Sequence, residues 1–159
     1  MRLPPLRTRP RSGAFSIIEL TFVMVTMAII SAVAVPHYRE SAQNYQLSMA
    51  AQRIVNDLAL AQSRANFGST AVTMTFNTAA STYQIIGMSD PDRPAQTYTV
   101  NLAGAPYQVT LTSASFGAAA QITFDGYGTP TQAGTVVITL GSQRHTITVD
   151  GTSGRSVIQ

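Results

Sequence analysis

The chain has 159 residues, enough for one domain beyond a membrane segment. It contains no cysteine, which excludes a disulfide framework and any thiolate metal site. Its charge of +3 is carried by arginine alone, yet Arg2, Arg7, Arg9 and Arg11 sit in the first 14 residues. Without them six arginines face seven acidic residues, about −1, which excludes a general electrostatic footprint for nucleic acid on the rest.

The basic stretch 1–14 runs straight into an apolar one. Arginine beside an apolar helix stays on the cytoplasmic side, so the remainder is expected to face outward. From Phe15 to Val35 the run spans 21 residues, about 30 Å as a helix and one bilayer core. It holds one carboxylate, Glu19, near its start. A charge at the centre of a membrane helix costs about 2.5–3.5 kcal/mol on insertion scales and usually marks function. A plain anchor or export signal gains nothing from it. Ala32-Val33-Ala34 also fits the small-x-small pattern of an ordinary secretory signal, but Glu19 and the length of the run fit that alternative poorly. No cysteine is present to be acylated, and no two arginines are adjacent, so lipoprotein and twin-arginine signals drop out.

Pro36 is expected to kink the helix rather than end it. Beyond it Leu47, Ala50, Ile54, Leu58, Ala61 and Ala65 recur at steps of three and four. Gln46, Gln52, Arg53, Asn56, Asp57 and Gln62 fill the other faces. This is an amphipathic helix with its apolar stripe turned to a domain, and Gly68 is the expected stop. One helix from about Phe15 to Phe67 would be roughly 80 Å long.

After Gly68 the period changes to two. Alternating, threonine-rich stretches at 71–76, 82–85, 97–100, 107–111, 121–124, 135–140, 145–149 and 155–158 read as strands. Breakers such as Ser89-Asp90-Pro91-Asp92, Gly104-Ala105-Pro106, Asp125-Gly126 and Asp150-Gly151 separate them. The segment from Pro91 to Gly117 is the least regular and reads as a mobile insertion. The expected fold class is α+β, with a long N-terminal helix packed on an antiparallel two-sheet head. Its parts are a leader at 1–14, a transmembrane half at 15–36, an amphipathic half at 37–68 and a β-rich head at 69–159.

No enzyme site emerges, and no cofactor is implied. His37 follows the membrane run and suits an interface better than a metal. His145 shares strand parity with Ile147 and Val149 and reads as a partly buried sheet residue. Asp90 and Asp92 hint at calcium, but two carboxylates in a proline-rich loop are usually just solvated. None of the many serines and threonines stands in a nucleophile motif.

Phe15-Ser16-Ile17-Ile18-Glu19-Leu20, between a basic leader and an apolar run, resembles the N-terminal motif of type IV prepilins and type II secretion pseudopilins. With Phe15 as the first mature residue, Glu19 is the fifth and Pro36 the twenty-second, where that superfamily keeps a glutamate and a proline. The usual glycine is Gly13, with Ala14 interposed. The resemblance implies cleavage by a prepilin peptidase after Ala14 and N-methylation of Phe15. A cut after Gly13 would instead move Glu19 to sixth place. It also implies that Glu19 pairs with the positive N-terminus of a neighbouring subunit. The physics agrees, since a carboxylate desolvated in lipid gains most from an ammonium partner.

The segment Ile122 to Pro130, with its Phe124-x-x-x-Gly128 turn, then Val136 to Leu140, Ile147 to Val149 and Gly154-Arg155, are similar to the C-terminal half of GspH/FimT-type minor pilins. Leu58 to Ala65 resembles their helix end, while residues 77–120 have no clear counterpart. The resemblance implies a structural subunit near the tip of a short periplasmic filament: a minor pseudopilin of a type II secretion system. The alternative is a FimT-like type IV pilus minor pilin with a role in assembly or DNA uptake. Implied partners are other pilin or pseudopilin subunits, the prepilin peptidase, an inner-membrane assembly platform and the inner membrane, with the N-terminus cytoplasmic and the head periplasmic. DNA binding in such proteins is attributed to basic residues of the C-terminal tail. This tail offers only Arg144 and Arg155, little phosphate neutralisation, so DNA ranks below scaffolding.

Overall fold

The computed structural model describes residues 16–159. It divides into two compact units, one ending at Arg39 and one running from Glu40 to Gln159. One helix, α1 (Ile17–Gly68), enters both, and its helical backbone continues through Pro36.

In the first unit the helix is apolar on every side, and Ile17, Phe22, Met24 and Ile30 are all more than 60% exposed. It is long and apolar enough to cross a membrane. Its hydroxyls are satisfied within the helix: Thr21 donates to the Ile18 carbonyl, Thr26 to those of Phe22 and Val23, and Ser31 to that of Met27. A spanning helix needs such internal satisfaction because lipid offers no partner.

In the second unit the expected stripe is the buried face. Leu47, Ala50, Ile54, Leu58, Ala61 and Ala65 are fully buried, and Ala51 joins them. Alanine-rich sequence without proline or glycine from 37 to 67 favours the helix. The stop differs in detail from expectation. Gly68 caps the last turn, but Ser69 adopts the left-handed conformation (φ 47°). The Ser69 N–H donates to Asn66 O and the Thr70 N–H to Ala65 O. These two bonds form a Schellman motif built on serine rather than glycine.

Two four-stranded antiparallel sheets pack against this half of α1. The first has the order β3-β2-β1-β5, from β1 (Val72–Asn77), β2 (Thr82–Ser89), β3 (Thr97–Asn101) and β5 (Gln121–Phe124). The second has the order β4-β6-β7-β8, from β4 (Thr110–Phe116), β6 (Gly134–Leu140), β7 (Gln143–Val149) and β8 (Ser156–Ile158). Their inward residues, among them Met74, Tyr83, Ile85, Phe124, Val136, Ile138 and Ile147, close one core with the helix stripe. Phe76 stacks on Phe116 at 5.6 Å between ring centres and joins the two sheets. Each such side chain contributes about 1.5–3 kcal/mol on burial.

Three expectations are corrected. The strand read at 107–111 lies at 110–116, because the N–H groups of Tyr107 and Gln108 both turn back to Gly104 O and Gln108 has φ 57°. The stretch 91–117 is no insertion: it carries β3 and β4, paired with β2 and β6. Asp57, assigned to a polar face of the helix, is 4% exposed.

Candidate functional site

The described part of the stem begins where the sequence places its single carboxylate. Ser16 O accepts the N–H groups of Glu19 and Leu20, which makes Ser16 the first acceptor of α1. Glu19 lies in the first turn, where the helix dipole favours a negative charge. Its side chain is exposed among exposed apolar neighbours. A carboxylate held there is available to a cation from another molecule. Gly13, Ala14 and Phe15, the cleavage and methylation positions, lie outside the described residues, and Pro36 is described only through its helical backbone.

The head holds a buried polar cluster that sequence reasoning missed. The Tyr83 hydroxyl donates to Asp57 Oδ2 at 2.6 Å and the Tyr98 hydroxyl to the same oxygen at 2.9 Å. Arg53 Nε donates to it at 3.2 Å, while Arg53 Nη2 contacts the Tyr98 hydroxyl. One carboxylate oxygen therefore ties α1 to β2 and β3. Burial, and then the adjacent Asp57 charge, push the Tyr83 phenol well above its ordinary pKa. Burial and the hydrogen bond to Asp57 push Tyr98 the same way. Burial works against the Arg53 charge, but Asp57 and Tyr98 outweigh it and raise its pKa. The cluster holds protons firmly, the opposite of what a general acid or base near neutrality requires. The overlooked signal was local: Asp57 lies three residues after Ile54 and four before Ala61, both in the buried stripe.

A second device joins the pieces that carried the subgroup resemblance. Gln62 Nε2 donates to Gly128 O and to Ser153 O, both at 2.8 Å. Gly128 (φ 78°) ends the Phe124-x-x-x-Gly128 turn, in which Asp125 Oδ1 accepts the N–H groups of Tyr127 and Thr129. Gly154 has φ 70°, and a Cβ there would stand 2.5 Å from Gln62 Nε2. The helix end, the turn and the Gly154-Arg155 pair thus meet at one glutamine. Their part is structural.

The two candidate DNA contacts do not meet. Arg144 lies on β7 opposite Thr139, while Arg155 lies opposite Asp150, whose N–H donates to Arg155 O. Six residues of strand separate Arg144 from that end, roughly 20 Å. The Asp150 carboxylate, held below its usual pKa by hydrogen bonds from Ser153 and Thr152, adds negative charge beside Arg155. His145 is half-buried, as its parity suggested, with Nε2 3.5 Å from Ser48 Oγ. Asp90 Oδ1 accepts the N–H groups of Asp92 and Arg93, so it closes a turn. Among the described residues no group of three histidine or acidic side chains could hold a metal ion.

Residues 50–153 match the family described as "Type II transport protein GspH". The range takes in residues 77–120, which had no clear counterpart by motif. No curated protein sequence matches the chain. Two crystal structures of the type IV minor pilin FimU of Pseudomonas aeruginosa PAO1 share the fold. One superposes with a TM-score of 0.52 at 18% identity, covering 73% of this chain and 88% of that one. The other, in a second crystal form, gives 0.51 at 18% identity, covering 71% and 92%.

Proposed function

The chain belongs to the GspH family of type II transport proteins, and from that membership we propose that it is a minor pseudopilin, a structural subunit of the periplasmic filament of a type II secretion system. The family match across the head carries this reading. The apolar first half of α1 supports it, because a helix that exposes apolar side chains such as Ile17, Phe22, Met24 and Ile30 is suited first to lipid and then to the helices of other subunits.

In this proposal residues 1–14 are a leader, 15–36 the membrane and assembly segment, 37–68 the helix that joins it to the head, and 69–159 the periplasmic head. A prepilin peptidase cuts after Ala14, Phe15 becomes the methylated N-terminus, and Glu19 receives the amine of a neighbouring subunit on the assembly platform. The protein performs no catalysis. Its work is to occupy a place in a filament with other pilins, starting from the inner membrane with its N-terminus cytoplasmic.

Removing the chain from its bacterium tests the system it serves. Secretion of folded substrates should stop while twitching and DNA uptake continue. The reverse pattern would assign it to a type IV pilus, the reading that the FimU fold leaves open. Intact mass of the protein co-expressed with a prepilin peptidase should correspond to a start at Phe15, and a start at Val35 would overturn the leader assignment.

A further inference from the structure

The end of α1 carries an apolar feature that the fold does not use. Phe67 is 96% exposed, although Ala61 and Ala65 already close the core on this part of the helix. Across from it stands Ile86, 49% exposed. Ile86 points outward by the strand's ordinary alternation, with Tyr83 and Ile85 facing in, and a bulge at Gly87 then turns Met88 inward again. Gly87 has φ 79°, and the β2–β3 register breaks between Gln84 and Ser89. Bulges of this kind re-aim a side chain. Phe67 and Ile86, with half-buried Val72 and open Gly68, line a largely apolar groove of about 450 Å³. On its edge lies Arg64, exposed and one turn before Phe67. Among the described residues Arg53 and Arg93 form ion pairs and Arg64 forms none.

We infer that this groove seats an apolar side chain of another pilin subunit, with a carboxylate beside it that pairs with Arg64; the inference rests on the filament reading above. An exposed aromatic next to an unneutralised arginine is the composition of an interface anchor. The charge selects the partner. Packing the patch against itself about a two-fold axis would bring Arg64 toward its own copy, a like-charge contact. A lipid surface is recognised by clusters of four or more basic residues, and here there is one. The patch is smaller than a whole stable interface, so it acts as an anchor within a contact that the stems also support.

A photoreactive amino acid placed at Phe67 in the full-length chain, expressed in its own bacterium, tests this. The expected product is an adduct with a different pilin subunit, absent when the reagent sits at Ala118 on the β4–β5 turn. Arg64→Glu should lower the yield about tenfold, a typical hot-spot loss, and reversing the partner carboxylate to arginine should restore it. Both altered side chains are exposed, so folding is not in question, and the protein level provides the check. Adducts with its own copies, with lipid alone, or equal yields at Ala118 would overturn the inference. The same reagent at Val25 in the stem separates the two ideas. Pilin adducts from Val25 with none from Phe67 refute the groove and leave the filament reading standing. No pilin adduct from either position refutes both.

Discussion

Asp57 shows how one buried charge can organise a head. Its Oδ2 takes three donors from three elements. Tyr83→Phe removes one charge-assisted bond and should cost about 1.5–3 kcal/mol. Asp57→Ala leaves the two phenols and Arg53 without their acceptor and should cost about 3–5 kcal/mol; urea denaturation measures both. The tyrosines also set an alkaline limit. Their folded pKa values lie above the ordinary 10.0, so their contribution is complete below pH 10 and falls as the unfolded phenols begin to ionise above it. Stability should therefore decline with rising pH beyond about 10, and Tyr83→Phe should flatten that decline. Unchanged pH curves would show that the phenols are not desolvated. At the other end of the chain, Glu19→Ala keeps the apolar length. Membrane insertion should survive while crosslinking to other pilins falls, because the partner amine loses its counter-charge. Assembly equal to wild type would reduce Glu19 to a tolerated charge.

Among the elements, α1 does two jobs with two kinds of surface. From Ile17 to Ala32 its side chains are exposed; after Glu40 one stripe is fully buried. The Gln62 contact explains why short motifs far apart in sequence go together. Gln62→Ala should release both the 125–129 turn and the 150–154 turn, at about 1–3 kcal/mol for two hydrogen bonds. Gly154→Ala should cost about 1–2 kcal/mol from the left-handed backbone, with further crowding against Gln62 and Phe124. Since both changes strike one contact, the double variant should lose less than the sum. Full additivity in thermal melts would show that the glutamine and the glycine act independently.

For the whole molecule, the separate compactness of residues 40–159 suggests that the head survives without the stem. A chain beginning at Tyr38 should be soluble and monomeric, with a circular dichroism spectrum dominated by β structure and one helix. A mainly helical spectrum, or insolubility, would contradict the two-sheet head. The same head should bind duplex DNA no more tightly than about 10⁻⁴ M at physiological salt, the weak end of nonspecific binding. Micromolar binding abolished by Arg144→Ala with Arg155→Ala would favour the uptake role.

The amino-acid sequence alone determined what depends on local period and composition. The apolar run, the helical stripe from Leu47 to Ala65 and most strands are written in spacings of 3.6 and 2, which any backbone in those conformations must express. The family motif at Phe15 to Leu20 is contiguous and legible for the same reason. The two phenols on Asp57 and the meeting of Gln62 with Gly128 and Ser153 join residues 26 to 91 positions apart, and the order of strands sets β1 beside β5 and β4 beside β6 across intervening strands. No periodicity encodes such pairs, because they arise only when the two sheets close on the helix and a buried polar atom must find a donor or acceptor. The displaced β4 has a related cause: Tyr107-Gln108-Val109 alternates like a strand, but the turn back to Gly104 takes its hydrogen bonds first. The inward Met88 likewise depends on a bulge that shows itself only in the pairing of β2 with β3.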